Sequence, residues 1–334
     1  MYKTIIHIII CLISVFFLDV KGQDMHFTQF YASSMYLNPA FTGAGVCSRV
    51  SATYRNQWPG VKVAYSSQLV SFDHYIRKYN TGVGLLVARD VAGSGDLQRT
   101  IINPSFAYEA NLTRKLALRF GVQPGVGISS INFNKLIFGD QIARGGQNVP
   151  TIEDEPQSVV YFDINTGVLL YATNTWFGVS FFHINEPDES FLGSGNPSLL
   201  PIKYSAHGGY KFLLNEEIDY EKSVSLAFNY RGQNKFDQLD IGGYYTRDIF
   251  NVGLWYRGIP FLKQYASGYA NNDAISVIVG FKTNIMSFGY SYDFTISRLS
   301  NSISNGAHEL TVSYQFCQLG RLKKKLIFVP CPSF

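Results

Sequence analysis

The sequence predicts an all-β fold, a transmembrane β-barrel of the outer-membrane type with about 14 antiparallel strands. Three observations predict it. The 334 residues are 46% hydrophobic and 15% aromatic but only 16% charged, well below the roughly 25% charge of soluble domains. Between about residues 46 and 316, successive short segments alternate apolar and polar side chains, the period of a strand lying between two different environments. The connections between these segments fall into a short class and a long class, on alternate sides.

Residues 1–22 read as a secretory signal peptide. Met1-Tyr2-Lys3 is a basic start, an apolar run extends from Ile5 to Leu18, and Val20-Lys21-Gly22 offers a small-residue cleavage site. About 14 apolar residues are too few for a spanning helix, which needs about 20. Cys11 lies mid-run and not at the cleavage site, which disfavours a lipoprotein. The chain is therefore expected to be exported with Gln23 as its first mature residue. Residues 23–45 form a lead-in that precedes the first strand; Asn38-Pro39 and Phe41-Thr42-Gly43 break regular structure there. This lead-in is read as periplasmic, or as a lumen plug carrying Phe27, Phe30, Tyr31, Tyr36 and Phe41.

The barrel is placed at 46–316. In its first segment Val50, Ala52, Tyr54 and Trp58 share one face, while Arg49, Ser51, Thr53, Arg55 and Gln57 share the other. Later, Val224, Leu226, Phe228 and Tyr230 alternate with polar or small residues, as do Met286, Phe288, Tyr290 and Tyr292. The last segment sets Leu310, Val312, Tyr314 and Phe316 against Glu309, Thr311, Ser313 and Gln315. Strand starts fall near Val46, Tyr65, Asn80, Gln98, Lys115, Phe162 and Asn174. In the second half they fall near Ile202, Val224, Phe236, Ile249, Ala274, Ile285 and His308. Connections after even strands are short (77–79, 111–114, 173–174, 247–248, 282–284), with 214–223 the exception. Those after odd strands include four long ones, 134–161, 183–201, 258–273 and 294–307.

A soluble β-sandwich or solenoid shares the alternation, but the asymmetry of the connections favours a barrel. In lipid every backbone N–H and C=O needs an internal partner, so strands cross only as a closed cylinder. Arg49, Arg55 and Gln57 are then lumen residues, Asp90, Asp163 and Asp240 are candidate lumen charges, and terminal Phe316 closes the lipid-facing row. Short turns are expected in the periplasm, and an even strand count places both mature termini there too. The tail 317–334 holds Arg321, Lys323, Lys324 and Lys325 and no acid. The formal net charge of +4 thus reflects the tail, the body being close to neutral. A folded basic face for nucleic acid is not expected.

Chemistry-bearing motifs are sparse. Cys47, Cys317 and Cys331 remain after export, an odd number in an oxidising compartment. Because the first and last strands of a barrel pair, a Cys47–Cys317 or Cys47–Cys331 disulfide near the seam is feasible, with three reduced thiols the alternative. No close histidine pair or Cys-x-x-Cys supplies a metal site, and no cofactor is expected. Ser304 with His308 and Glu309 carries the residue types of an outer-wall lipid hydrolase. Adjacent His308 and Glu309 face opposite sides of a strand, however, and Asn305-Gly306 reads as a turn. No catalytic residue is assigned.

Several stretches resemble the PorP/SprF family of outer-membrane proteins of the type IX secretion and gliding-motility apparatus of Bacteroidetes. They begin with Gln29-Phe30-Tyr31 and Tyr36-Leu37-Asn38-Pro39-Ala40-Phe41-Thr42-Gly43. They continue with Tyr54-Arg55-Asn56-Gln57-Trp58-Pro59, Gly289-Tyr290-Ser291-Tyr292-Asp293 and Ile296-Ser297. They close with Gly306-Ala307-His308-Glu309 and Cys331-Pro332-Ser333-Phe334. Asn38-Pro39 and the block from Tyr54 to Pro59 carry most weight. The resemblance implies a non-enzymatic barrel that assists export or surface attachment of adhesins bearing a type IX C-terminal signal domain. It also implies periplasmic ring components of the secretion machine as partners, besides outer-membrane lipid. The alternative is a passive porin or hydrophobic-substrate channel. The long loops are candidates for cargo contact.

Overall fold

The computed structural model describes residues 24–45, 47–61, 65–93, 95–132, 135–146, 149, 151, 158–191, 195–214, 222–259, 263–266, 269–283, 285–297, 299–316 and 329–330. Among them, fourteen antiparallel strands close into one barrel. The first seven are β1 (Ser48–Gln57), β2 (Tyr65–Ile76), β3 (Thr81–Ala92), β4 (Leu97–Asn111), β5 (Leu116–Ser130), β6 (Ser158–Ala172) and β7 (Thr175–Phe182). The rest are β8 (Lys203–Leu213), β9 (Lys222–Gln233), β10 (Phe236–Arg247), β11 (Phe250–Gly258), β12 (Asn272–Lys282), β13 (Met286–Thr295) and β14 (Ala307–Phe316). Each strand pairs with its sequence neighbours, and β14 closes on β1 from Ser48↔Phe316 to Gln57↔Ala307.

Parity sets the two faces. Along β1, Val50, Ala52 and Tyr54 are exposed while Ser51, Thr53 and Arg55 are buried. The exposed outer wall is a continuous apolar belt that includes Val70, Phe72, Phe106, Phe120, Phe162, Leu226, Leu254 and Phe288. The inner wall is largely Ser, Thr, Asn and paired charges, with a cluster of rings and aliphatic side chains that includes Leu169, Trp176 and Trp255. Such an inside-out distribution is stable only where hydrocarbon solvates the exterior. No helix among the described residues is long and apolar enough to cross a membrane.

Three details depart from the sequence expectation. Strand β6 begins at Ser158 and not near Phe162, extending the wall into the loop. The connection after β11 carries a small hairpin, Gln264–Ala266 paired with Tyr269–Ala270, outside the barrel. Trp58 does not continue the outer row of β1. Its φ of +55° breaks the strand, its N–H donates to Gly306 O at 2.8 Å, and its ring packs on Tyr65 at the rim.

The lead-in takes a path that the strand count does not supply. Asp24 is held by Arg99, His183, Lys203 and Gln233, all at or beside the strand ends that carry the long connections. Gly43 donates to Asp73 at 3.0 Å, near the end of β2 that carries a short turn. The segment thus runs through the lumen from one mouth to the other. Its first described residue lies at the opposite mouth to Phe316, the end of β14. An even strand count places the ends of the strands, but it does not place a lead-in long enough to traverse the barrel.

Candidate functional site: the filled lumen and its vestibule

The lead-in buries nearly every residue from Phe27 to Gly43. Two short helical turns, Ser34–Leu37 and Pro39–Phe41, compact it. Asn38 joins them: its extended backbone ends the first turn, and its Oδ1 accepts from Ala40 N–H at 2.8 Å, capping the second. The Asn38 amide Nδ2 donates to Val168 O and Val179 O at 3.1 and 3.2 Å, and stands 3.2 Å from His207 Nε2. One fully buried amide therefore ties the plug to β6, β7 and β8.

The wall is cut to receive this turn. A Cβ on Gly82 would stand 1.9 Å from Thr42 O, one on Gly121 2.3 Å from Ala40 N, and one on Gly167 2.0 Å from Asn38 Oδ1. Real Cβ atoms do not approach so closely, so these three glycines form a cradle for residues 38–42. Beside it, the Arg119 guanidinium donates to Ala40 O at 2.9 Å and to Thr42 O. Its other face pairs with Glu109 at 2.6 Å, which also accepts from Tyr171 OH at 2.8 Å. Aromatic packing fills the middle: Tyr31 meets Trp176 edge-on at 5.7 Å, and Phe30 meets Trp255 at 4.9 Å. Val329 of the tail packs against this same cluster.

A buried ionic chain holds the upper half. Arg55 of β1 pairs with Asp293 at 2.8 Å and with Glu309 at 3.1 Å. Arg257 pairs with Asp293 at 3.1 Å and with Asp240 at 2.8 Å. Thr28 Oγ1 donates to Asp293 at 2.8 Å, and the backbone N–H groups of Thr28 and Gln29 donate to Glu309 at 2.7 and 2.8 Å. Buried charges persist only when paired and hydrogen-bonded, and here the plug supplies part of that satisfaction. At the mouth, Asp24 accepts from Lys203 at 2.7 Å, His183 Nε2 at 2.8 Å and Arg99 at 3.1 Å. Burial alone depresses the His183 imidazole, but Asp24 and Asp163, the latter 3.0 Å from Nδ1, outweigh it and hold its pKa up at about 9.

Of the sequence-derived residues, Arg55 sits at the centre of the ionic chain. Arg49 pairs with Asp73 at 3.0 Å and donates to Ser34 Oγ at 2.8 Å, and Gln57 borders the vestibule above the plug. Asp163 and Asp240 are buried members of the clusters just described, and Asp90 accepts from Ser67. Tyr54 faces outward, Asn56 is half-buried and Pro59 is exposed beyond the strand. Cys47 is disulfide-bonded, while Cys317 and Cys331 lie outside the described residues. Ser304 donates to Ser300 O and Thr295, and His308 is engaged by Tyr290 OH at 2.8 Å, while Glu309 points to the opposite face. Among the described residues no group of three or more metal-ligating side chains converges. Sequence reasoning missed Asp24, Arg119, Arg257 and the glycine cradle; inward strand parity was the only signal for Arg119, Arg257 and the glycines, and Asp24, ahead of the first strand, carried none.

A family model described as "Type IX secretion system membrane protein PorP/SprF" matches residues 19–314, which takes in the plug, the cradle and both ionic clusters. This chain belongs to the PorP/SprF family. The match bears out the family resemblance and, with the closed lipid-facing wall, an outer-membrane location. No curated protein matches the sequence. Among solved structures, the toluene transporter TodX of P. putida is similar with TM-score 0.50 and 11% identity, over 84% of this chain and 92% of that one. The Ralstonia pickettii toluene transporter TbuX follows at TM-score 0.48 and 12% identity, over 85% and 93%. A Pseudomonas aeruginosa FadL homologue has TM-score 0.47 and 12% identity, over 86% and 94%. At such identity the likeness to TodX speaks to the barrel fold alone.

Proposed function

We propose that this PorP/SprF member is a non-enzymatic outer-membrane scaffold that assists export or surface attachment of adhesins carrying a type IX C-terminal signal domain. Its short turns and basic tail face periplasmic ring components, and its long connections face the cargo. The observation that carries this reading is the filled lumen within a secretion-family barrel. The cylinder is occupied by its own lead-in, held by a glycine cradle and buried ion pairs, so the available working surfaces are the two mouths and the outer wall. That arrangement favours a docking role over the passive porin or hydrophobic-substrate channel, which needs an open passage. The engagement of Ser304 and His308 with separate partners supports a non-catalytic role.

Deletion of the gene tests the proposal. The expected phenotype is an adhesin retained in the periplasm or shed into the medium, restored by the full-length gene. Unchanged surface display of every protein bearing such a domain would refute it.

A further inference from the structure

Above the plug, on the side of the long connections, lies a cavity of about 460 Å³. Its floor is the lead-in from Asp24 to Leu37, and its rim is the upper ends of β1, β7, β8, β9 and β10. Rings dominate the apolar part: Phe27, Phe30, Trp58, Phe182 and Phe236. Four cations, Lys203, Arg231, Lys235 and Lys263, share the lining with three carboxylates, Asp24, Asp237 and Asp273. Those carboxylates are already engaged, two of them by the lining cations Lys203 and Lys263, which leaves Arg231 and Lys235. Asp24 is divided among Arg99, His183 and Lys203, Asp237 is taken by Lys263 at 2.6 Å, and Asp273 lies 3.8 Å from Arg257.

Arg231 is the residue left short. Its nearest carboxylate oxygen, Asp240 Oδ2, is 3.5 Å away, while Asp240 Oδ1 already accepts from Arg257 Nε at 2.8 Å. That 3.5 Å contact is made by Arg231 Nη2, which has no hydrogen bond, and the side chain is 18% exposed. A guanidinium is always charged and presents a planar fork suited to a carboxylate, and leaving a buried donor unmade is costly. Lys235, exposed on the turn between β9 and β10, has no ion pair among the described residues. A partly enclosed pocket of this size, walled by rings and holding a few convergent polar groups, has the make-up of a small-molecule site.

We propose that this vestibule binds a small amphipathic organic acid. The carboxylate pairs with Arg231, with Lys235 at the rim, and the apolar body lies against the rings of Phe27, Phe30 and Phe182. Because residues 24–37 form the floor, the ligand stabilises the seated plug. The site is independent of any cargo role.

Isothermal titration of the full-length protein in detergent tests it with three probes of one shape: 4-phenylbutanoate, its amide and 4-phenylbutylammonium. The expected result is saturable binding of the carboxylate, about tenfold tighter than either control. Arg231→Gln should reduce that affinity about tenfold, and the surface substitution Lys235→Gln, which leaves the wall intact, about two- to threefold. Equal binding of all three probes, or no saturable heat up to about 10 mM carboxylate, overturns the proposal, and the wild-type series alone suffices to do so.

Discussion

Arg55 and Glu309 are direct cross-strand partners on the first and last strands, and their side chains meet at 3.1 Å inside the lumen. The same Glu309 carboxylate accepts the backbone N–H groups of Thr28 and Gln29. The seam of the barrel and the seating of the lead-in therefore share one pair of side chains.

Removing one partner of this buried pair should be costly. Arg55→Ala is expected to destabilise the folded barrel by about 3–5 kcal/mol, because Asp293 and Glu309 are left buried with reduced compensation. Glu309→Gln, which keeps the shape and an acceptor oxygen, should cost less. The check is the temperature at which the compact, fast-migrating form on unheated gels converts to the slow form.

The cradle predicts a different failure. In Gly121→Val or Gly82→Ala the wall strand retains its register and its lipid face, but the new side chain collides with the turn at residues 39–42. The barrel should still insert, while the lead-in becomes open to protease and ion conductance rises in planar bilayers. A silent, protected variant would mean that the turn seats without the cradle.

The mouth cluster predicts a pH window. His183 is held protonated by Asp24 and Asp163, with its pKa raised from 6.5 to about 9. A raised value contributes stability that is fully present below the unfolded pKa and is lost as pH rises through the folded one. Anchoring of the lead-in at Asp24 should thus be constant below about pH 6.5 and weaken progressively toward pH 9 and above. Limited proteolysis near residue 24, followed from pH 6 to 10 in wild type and His183→Gln, reads this directly; the variant should lack the dependence in that window.

Cys47 lies immediately before β1, in a disulfide. We expect the bond to be intramolecular, with Cys317 or Cys331. Non-reducing electrophoresis of purified protein should show a monomer whose mobility changes on reduction, and Cys47→Ser should abolish the change. Loss of the bond should cost about 2–4 kcal/mol.

How much of this was legible depends on the range of the interaction. Alternation in segments such as Val50 to Arg55 is a local property, and together with the connection lengths it yields the strand count and the faces. Parity also placed Arg55 and Glu309 on the inner side. The path of the lead-in was not legible, because it rests on partners far away in the chain: Asn38 meets Val168 and Val179, 130 and 141 residues on. Gly121 looks like any strand glycine until the turn at residues 39–40 is set against it. Asp24 lies beside the expected cleavage site and carries no motif, so its role emerges only when Arg99, His183 and Lys203 converge. Trp58 misled the alternation because a positive φ is not encoded by a periodic pattern.

The account rests on a lead-in that occupies the lumen of a lipid-embedded cylinder, and cross-linking across that lumen tests it most directly. Ser33 Oγ and Thr53 Oγ1 are 3.0 Å apart, one on the lead-in and one on the inner wall of β1. With Ser33→Cys and Thr53→Cys combined, oxidation in native outer-membrane vesicles should yield, by mass spectrometry, a peptide cross-linked between positions 33 and 53 in most molecules. A correctly inserted barrel that yields no such peptide, while its introduced thiols remain free to alkylate, would contradict the account.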